Sequence, residues 1–195
     1  TKFTRKIDLL NYLKSEGWLK TKRVFDTMIT VDRAHFCPVN PYHDNSQQIG
    51  CYAVISAPHI HAPALEFLAP KINENSKVLD IGFGSGYLTV AFSKLTNDKG
   101  LIFGIEHIQQ LYDFGKNNIS KNYKELLEKK KIVLICDDGR NGLPYEAPFD
   151  VIHVGAVAEK IPMKLVDQLK NGGRMYIPIG NDDEQYVTII DKGYD

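Results

Sequence analysis

The amino-acid sequence predicts an α/β fold in which a mainly parallel β-sheet carries helices on both faces. Three observations support this prediction. Short apolar runs recur along most of the chain after residue 77 and alternate with amphipathic stretches. A glycine-rich turn, Gly82–Gly86, follows the first of these runs, and acidic residues stand at the ends of several runs. Strands that alternate with helices are joined by right-handed crossovers, and they therefore lie parallel in one sheet.

The composition fits one domain. The chain has 195 residues, with 24 Lys plus Arg and 24 Asp plus Glu, and its formal net charge is therefore zero. This balance gives no support for nucleic-acid binding or for attraction to a charged membrane. No apolar run approaches the roughly 20 residues that a membrane-spanning helix requires, and no secretory signal opens the chain.

The cysteines predict a reducing environment. Cys37, Cys51 and Cys136 are scattered and lack C-x-x-C spacing. We expect free thiols rather than disulfides or a zinc site, and a cytoplasmic location.

The first 50 residues predict two helices and a long loop. A helix over residues 4–14 ends before Gly17, and a second helix begins near Thr21. The apolar face of the first helix is formed by Ile7, Leu9, Leu10 and Leu13. Two prolines and no periodicity predict a loop from Asp32 to about Gly50, and long loops inside compact domains are often functional. Within one domain, 1–195, we assign 1–50 to N-terminal helices and a substrate loop, and 51–195 to the α/β core.

The stretch after this loop leads into a helix. Val54 and Ile55 indicate a short extended segment, and Pro58 suits a first helical turn. Ser56 is then either the N-cap of this helix or a catalytic residue, and spacing alone slightly favours the N-cap. His59 and His61 are too close in sequence to place two metal ligands on one helix face, and we expect no metal.

The glycine-rich turn predicts a ligand site. Val78–Ile81 reads as a buried strand, and the pattern from Asp80 to Gly86 is D-x-G-x-G-x-G. The missing side chains let a nucleotide-like ligand lie against the backbone, near the helix that starts at Tyr87. An acid at the strand end suits an amine-bearing or cationic ligand better than a pyrophosphate. The pattern resembles that of Rossmann-like S-adenosylmethionine-dependent methyltransferases, although a glycine turn alone is a weak signal.

Two further acids follow the next strands. Glu106 ends the strand Leu101–Ile105 and lies 20 residues after Gly86, where a carboxylate can accept both ribose hydroxyls of a nucleoside. The alternative is a solvated acid at a strand end. Asp138 follows the strand Ile132–Cys136 and either reaches an adenine amino group or forms a turn with its neighbouring glycine. The parallel topology predicts that these acids converge with Asp80 at one sheet edge.

The remaining elements complete the predicted sheet. A helix runs from after Glu106 to about Lys130, and another spans residues 161–169. Strands are expected at 149–155, 174–179 and 185–191. A turn at Asn171–Gly173 precedes the strand at 174–179, and Pro178 indicates that this strand ends there or contains a bulge.

A resemblance to one family becomes specific along nearly the whole chain. The segments that carry it, in order, are Val54–His61, Val78–Gly86, Gly104–Ile108, Asp138–Arg140, Ala147–Ala156 and Leu169–Arg174. Together they resemble the protein-L-isoaspartate O-methyltransferases, in the eukaryotic branch of that family. The I-S-A-P-H sequence at Ile55–His59 is the most specific of these segments, because many methyltransferases share the glycine turn.

The resemblance implies a function and a site. It implies methyl transfer from S-adenosyl-L-methionine to the free α-carboxylate of L-isoaspartyl residues in damaged proteins and peptides, with S-adenosyl-L-homocysteine as product. Repair then proceeds through a methyl ester and a succinimide. Ser56 is implied as the catalytic residue. The implied cofactor site comprises Ala53, Val54, Ile55, Ser56, His61, Asp80, Gly82, Gly84, Ser85, Gly86, Glu106, His107, Asp138 and Gly139. We expect a monomer that binds neither nucleic acid nor membrane.

Three departures from the family pattern leave alternatives open. Phe83 occupies a turn position where a small residue is usual, and Glu106 replaces a commoner aspartate. The family's C-terminal strands, which help cover the substrate, are expected to be missing from this sequence. The alternatives are a methyltransferase for a small molecule or RNA, which would not need the segment around Ser56, and a non-enzymatic cofactor-binding protein in which Phe83 blocks turnover.

Overall fold

The computed structural model describes residues 1–181 and 184–193, which form eight strands and seven α-helices. The strands are β1 (Gln47–Gly50), β2 (Ala53–Ile55), β3 (Lys77–Ile81), β4 (Leu101–Glu106), β5 (Ile132–Cys136), β6 (Phe149–Val154), β7 (Leu169–Gly180) and β8 (Gln185–Asp191). The helices are α1 (Lys6–Ser15), α2 (Lys22–Thr30), α3 (Pro58–Leu68), α4 (Tyr87–Leu95), α5 (Gln109–Asn122), α6 (Lys124–Glu128) and α7 (Met163–Asp167).

Six strands form one sheet in the order β5-β4-β3-β6-β7-β8. The pairs from β5 to β7 are parallel, and only β8 pairs antiparallel, at the edge beside β7. The prediction of a mainly parallel sheet is confirmed. The first strand of this sheet along the chain is β3. The chain then adds β4 and β5 on one side of β3, and it adds β6 on the other side. The strand order therefore reverses beside β3, which is where open α/β sheets bind their ligands.

The sheet is buried on both faces. Val78, Ile102 and Val151 face the core formed with α1–α4, whereas Leu79, Phe103 and Ile152 belong to the core on the opposite face. This alternation follows from the period of two along a strand. Because both faces are covered, β3 and its neighbours need apolar residues at nearly every position. Asp80 is therefore an exception that requires a partner.

Helices α1 and α2 confirm the two helices predicted for the N-terminal region, but the predicted apolar face of the first helix is wrong at one residue. The α1 face that packs on the core is formed by Leu9, Leu10 and Leu13, but Ile7 is 39% exposed and does not belong to it. Thr21 caps α2 through its side chain, which accepts a hydrogen bond from the backbone N–H of Val24 at 3.3 Å.

The predicted loop before Gly50 ends sooner than expected. Residues 47–50 form β1, which pairs antiparallel with β2. Cys51 and Tyr52 connect the two strands with positive φ angles of 50° and 59°. Two consecutive residues in this region form a tight hairpin turn, which the sequence does not signal because neither residue is Gly or Asn.

The start of α3 is capped from the long loop. Its N-cap position is Ala57, whose side chain has no acceptor, and Pro58 occupies the first turn as predicted. The carboxylate of Asp44 instead accepts the backbone N–H of His59 at 3.0 Å and lies 2.9 Å from Nδ1 of the same residue. The interpretation of Ser56 as the N-cap is therefore wrong, because Asp44 supplies the acceptor.

Three smaller predictions need correction. The helix expected to reach Lys130 is interrupted at Tyr123, which separates α5 from α6. The turn at Asn171–Gly173 lies inside β7, where the pairing with β6 shifts register. Pro178 neither ends β7 nor marks a bulge, because it pairs in register with Val187 of β8. The strand at residues 185–191 and the helix within 161–169 are confirmed, although α7 is shorter than predicted.

No helix in the described part of the chain combines the length and the apolar character needed to cross a membrane.

The capping geometry predicts different stabilities for two variants. Asp44→Ala should lower the free energy of unfolding by ~0.5–2 kcal/mol, because the first turn of α3 loses its acceptor. Ser56→Ala should change it by less than ~0.5 kcal/mol, since the Ser56 hydroxyl has no partner in the described chain. Urea unfolding measures both values. Asp44→Asn is the matched control, because it keeps an oxygen acceptor without the charge. A loss for Ser56→Ala as large as that for Asp44→Ala would contradict this assignment.

Candidate active site

A cavity of about 120 Å³ opens at the carboxyl ends of β3 and β6. Residues of β2 and α3 line it together with residues of β7 and β8. Eight of the residues predicted for the site line this cavity: Val54, Ile55, Ser56, His61, Asp80, Gly82, Gly84 and Ser85. The structure therefore brings together side chains from β2, α3 and β3 that are distant in the sequence.

The other predicted residues lie outside the cavity. Glu106 and His107 end β4, and Asp138 and Gly139 follow β5, on the neighbouring part of the same sheet edge. Ala53 pairs with Gly50 in the hairpin, and Gly86 is the N-cap residue of α4, packed against the side chain of Ile119. The predicted site is thus divided into an enclosed part and a more open part, with the glycine turn between them.

Hydrogen bonds fix the backbone of the glycine turn. Ile105 accepts the N–H groups of Gly82 and Phe83 at 2.7 and 3.2 Å, and Glu106 Oε2 accepts the N–H of Gly84 at 3.2 Å. The three glycines of the turn have φ angles of 72°, 50° and 86°, which residues with a Cβ rarely adopt. Acceptors at the end of β4 therefore fix the shape of the turn.

Phe83 is one of the residues that line the cavity, and its ring packs against Gly104 of β4 and Gly115 of α5. A Cβ at Gly104 would lie 3.0 Å from Phe83 Cδ1, and one at Gly115 would lie 2.6 Å from Phe83 Cε2. The ring also makes an edge contact with Tyr112, with centroids 6.0 Å apart. Two glycines thus leave the space that the large side chain occupies. This packing removes the basis for the alternative in which Phe83 blocks turnover.

Ser56 lies between β2 and α3, half-buried on the cavity wall. Within residues 1–181 and 184–193 its hydroxyl has no hydrogen-bond partner. Because Asp44 caps α3, this hydroxyl is available to a ligand. The described part of the chain shows no Ser56–histidine hydrogen bond, and a serine nucleophile activated by a paired base therefore has no support.

Asp80 is almost fully buried and already hydrogen bonded. It is 1% exposed; Oδ2 accepts from the Thr89 hydroxyl at 2.7 Å, and Oδ1 lies 2.8 Å from Nδ1 of His153. This pairing explains how a carboxylate is accommodated between two apolar layers. Asp80 and His153 both line the cavity.

His61 is held by a second buried charge. Arg33 Nη1 lies 3.2 Å from Nδ1 of His61, and Tyr87 stacks on the imidazole with centroids 5.0 Å apart. Burial, together with the positive charge of Arg33, holds the pKa of His61 well below its ordinary value. The ring is therefore neutral near pH 7.

Glu106 accepts hydrogen bonds from the backbone, in addition to the ligand-binding role predicted for it. Oε1 accepts the N–H groups of His107 and Ile108 at 2.9 and 3.1 Å, and Oε2 accepts that of Gly84. A carboxylate offers about four acceptor positions, and three are in use. These hydrogen bonds orient the carboxylate, and its role as the acceptor of both ribose hydroxyls stays a prediction. His107 is exposed, with Nδ1 3.3 Å from Glu106 Oε1.

Asp138 is paired with Arg140. The guanidinium donates to both carboxylate oxygens, at 2.6 to 3.0 Å, and the backbone N–H of Arg140 also donates to Asp138. These hydrogen bonds lower the pKa of Asp138 to about 2, and the carboxylate is therefore an acceptor at neutral pH. Asp138 also begins a short 3₁₀ turn at Gly139–Asn141, so the turn interpretation is confirmed. An adenine amino group would share the carboxylate with Arg140.

Sequence reasoning missed several residues in or behind the cavity, of which His153, Tyr176 and Arg33 matter most. His153 and Tyr176 line the cavity directly and stack with centroids 5.6 Å apart, whereas Arg33 acts behind His61. A signal existed for His153, because a lone polar side chain near the end of an apolar strand requires a reason. Arg33 gave no signal, since an arginine next to an aspartate in a loop reads as a solvated pair.

Comparisons with known proteins agree with this geometry. The family model described as protein-L-isoaspartate(D-aspartate) O-methyltransferase (PCMT) matches residues 4–195. A crystal structure described as a Plasmodium falciparum member of the same family, in complex with S-adenosyl-L-homocysteine, is 34% identical, with a TM-score of 0.92 over 97% of this chain and 91% of that one.

Curated relatives extend the likeness across eukaryotes. Protein-L-isoaspartate O-methyltransferases from Caenorhabditis elegans and Triticum aestivum are 42% and 43% identical. Those alignments cover 95% and 96% of this chain, and 83% and 82% of the relatives.

The fold and the site together define a Rossmann-like S-adenosylmethionine-dependent methyltransferase. Its sheet, its D-x-G-x-G-x-G turn and the acids along one edge are the features of that class. Within this class, the chain belongs to the protein-L-isoaspartate(D-aspartate) O-methyltransferase family. The residues present fit the cofactor: Glu106 and Asp138 are acceptors that would hold the adenosyl part, and the cavity beside the glycine turn would hold the amino-acid part.

The geometry of Glu106 generates a prediction about the ribose. Glu106→Ala should weaken binding of S-adenosylhomocysteine by ~1–3 kcal/mol, because a charged acceptor is lost. Calorimetry with the 2′-deoxy and 3′-deoxy analogues separates the two roles of this acid. If Glu106 accepts one ribose hydroxyl, the loss should disappear for the one analogue that lacks it. Equal losses for all three ligands would show that Glu106 acts only by holding Gly84.

The pairing of Asp138 generates a prediction about the adenine. Asp138→Ala should weaken S-adenosylhomocysteine, but not the analogue whose adenine amino group is replaced by hydrogen. Arg140→Ala is the matched variant, because it frees the carboxylate without removing it, and we expect equal or tighter binding. Both dissociation constants come from calorimetry. If Asp138→Ala weakens the two ligands equally, the turn at Gly139–Asn141 matters and the adenine contact does not exist.

Proposed function

We propose that the protein transfers the methyl group of S-adenosylmethionine to the free α-carboxylate of L-isoaspartyl residues in damaged proteins and peptides. The observation that carries this proposal is the free Ser56 hydroxyl, in one cavity with the glycine turn and two fixed histidines. The family to which the chain belongs supports the same substrate, because the relatives named above are protein-L-isoaspartate O-methyltransferases.

Methyl transfer to this carboxylate requires little acid–base catalysis from the protein. A carboxyl group of this kind has a pKa of about 4 and is already ionised near neutral pH. Bound S-adenosylmethionine supplies an electrophilic sulfonium methyl group. The chain must therefore remove water from the carboxylate and orient it in line with that methyl group, and such positioning is worth up to ~7–11 kcal/mol of the barrier.

Ser56 is the residue we propose for this orientation. Its hydroxyl donates one hydrogen bond to a carboxylate oxygen, and no proton needs to leave the serine. The role is that of a donor and not of a nucleophile, which fits the missing histidine partner. Apolar neighbours on the wall, Val54 and Ile55, exclude water from the reacting carboxylate.

The product methyl ester leaves the site. We propose that it closes to a succinimide in solution, and that hydrolysis of the succinimide restores part of the normal aspartyl bond. Repair of this kind requires the enzyme to accept many sequences. The cavity mouth suits a peptide segment, because Val54, Ile60 and Val187 are exposed there beside the hairpin tip at Tyr52.

We further propose that the protein acts as a monomer in the cytoplasm, on proteins and peptides rather than on nucleic acids or membranes. The support is the neutral net charge and the three free cysteines, of which Cys51 and Cys136 are exposed. Exposed thiols are characteristic of reducing compartments.

Ser56 variants test the catalytic role. Ser56→Ala should lower kcat/KM for an isoaspartyl peptide about 10- to 100-fold, because a hydrogen bond to a charged group is lost. Its melting temperature and its affinity for S-adenosylhomocysteine should stay near those of the parent protein. Ser56→Thr keeps a hydroxyl and should retain more activity than Ser56→Ala.

The controls separate catalysis from folding and from substrate choice. Asp44→Ala should lower the melting temperature but keep turnover per folded molecule. The aspartyl twin of the peptide should not be methylated by the parent protein. Unchanged methyl transfer in Ser56→Ala would remove Ser56 from the mechanism, and equal methylation of both peptides would refute the proposed substrate.

A further inference from the structure

One polar side chain interrupts the buried face of α5. The residues that this helix buries are Leu111, Gly115, Asn118 and Ile119, which recur at the three- and four-residue spacing of one helix face. Asn118 is only 8% exposed, and buried polar side chains are rarely left without a hydrogen-bond partner. We therefore expect its partner on the element against which this face packs.

The partner of Asn118 belongs to the glycine turn. The side-chain nitrogen Nδ2 of Asn118 donates to the backbone carbonyl of Ser85 at 3.1 Å, and Ser85 is 4% exposed. Because a carbonyl only accepts, the amide must present its NH2 group to the turn. A buried carbonyl that lacks a donor is unfavourable, and Asn118 supplies the donor.

Helix α5 approaches the turn closely because two glycines stand at the contact. A Cβ at Gly115 would lie 2.3 Å from the carbonyl oxygen of Gly84, and a Cβ at Gly86 would lie 2.9 Å from Cδ1 of Ile119. Both distances are shorter than van der Waals contact. The helix therefore packs directly on the backbone of the turn, within reach of the Asn118 amide.

The turn is thus held from two sides by opposite kinds of group. On the side of β4, the acceptors are the Ile105 carbonyl and the Glu106 carboxylate, which take three N–H groups of the turn. On the side of α5, the group is a donor, and it takes the carbonyl of Ser85. The contacts with β4 leave this carbonyl unsatisfied, and Asn118 completes the set.

Ser85 is the point at which this contact reaches the cavity. Ser85 and Gly84 line the cavity, whereas Asn118 lies behind the turn and does not line it. The glycines on either side of Ser85 have φ angles of 50° and 86°, and glycine rotates with little steric resistance. A hydrogen bond to the Ser85 carbonyl removes that freedom from the part of the turn that borders the cavity.

We propose that Asn118 is a positioning residue for methyl transfer: its amide fixes the Ser85 carbonyl and so holds the glycine turn in the conformation that binds the S-adenosyl cofactor. The residue acts through the turn and not on the reacting atoms. This inference deepens the proposed function, and it rests on it only for the use of the cofactor, not for the identity of the methylated carboxylate.

Asn118→Leu tests the proposal, because leucine keeps a similar volume and cannot donate. We expect the Kd for S-adenosylhomocysteine, measured by calorimetry, to rise at least about tenfold, since only part of the free protein then has the binding conformation. The KM for S-adenosylmethionine should rise with it. The kcat at saturating cofactor should change less than about threefold, because bound cofactor restores the turn.

Two further variants serve as controls. Asn122→Leu is the matched one, because Asn122 lies one turn further along α5 and its amide donates within the helix, to the carbonyl of Asn118, at 3.1 Å. Its Kd should stay within about twofold of that of the parent protein, since this bond does not reach the turn. Asn118→Gln keeps an amide and should retain more affinity than Asn118→Leu.

Three results would refute this role of Asn118. A lower melting temperature of Asn118→Leu with an unchanged Kd would make the residue a contributor to stability alone. Equal losses of affinity in Asn118→Leu and Asn122→Leu would point to a general effect on the helix. A lower kcat with an unchanged KM for S-adenosylmethionine would place the effect after cofactor binding.

Hydrogen exchange in the parent protein gives a test that needs no variant, should Asn118→Leu fail to fold. The side-chain amide protons of Asn118, followed by ¹H–¹⁵N NMR, should exchange more slowly than those of Asn117, which is exposed on the same helix. Addition of S-adenosylhomocysteine should slow them further, because the ligand and this bond stabilise the same conformation. Exchange as fast as that of Asn117, or unaffected by the ligand, would contradict the proposal. Calorimetry and hydrogen exchange use no peptide, and their outcome is therefore separate from a failure of isoaspartyl methylation.

Discussion

The site depends on a backbone turn that has almost no side chains to hold it. Its position is set by hydrogen bonds to the end of β4, where the carbonyl of Ile105 and the carboxylate of Glu106 accept three of its N–H groups. The same carboxylate also accepts the two N–H groups that follow it in the chain. A charged acceptor makes these bonds stronger than those of a neutral amide. The shape of the candidate site is therefore tied to β4, and with it to the centre of the sheet.

This constraint explains why a large side chain is tolerated in the turn. Since the backbone is fixed by hydrogen bonds, the ring of Phe83 can pack against β4 and α5, provided that these elements leave room. Gly104 and Gly115 leave that room. Each glycine looks unremarkable in the sequence, and one of them lies inside a helix, where it costs roughly 0.5–1 kcal/mol relative to alanine. Burial of an aromatic ring offsets that cost.

Much of the fold could be predicted from the sequence, because a buried parallel sheet requires continuous apolar strands, and β3, β4 and β5 are of this kind. The hairpin β1–β2 could not, since its turn uses Cys51 and Tyr52 at positive φ, where glycine or asparagine would be the signal. In the site, the glycines and acids follow from local spacing. The partners of Asp80 and His61 do not, because they depend on contacts between residues 28 and 73 positions apart.

The role of Ser56 shows how such distant contacts change the meaning of a residue. From local spacing, a serine just before Pro58 is most simply a helix cap. The carboxylate of Asp44 takes over that task from the long loop, and it binds the side chain of His59 as well. A hydroxyl relieved of capping has no structural function left in the described chain, yet it lies half-buried on a cavity wall. A hydroxyl in that position can donate to a ligand that enters the cavity. Asp44, twelve residues away in sequence, thus leaves the Ser56 hydroxyl free for the catalytic role proposed for it.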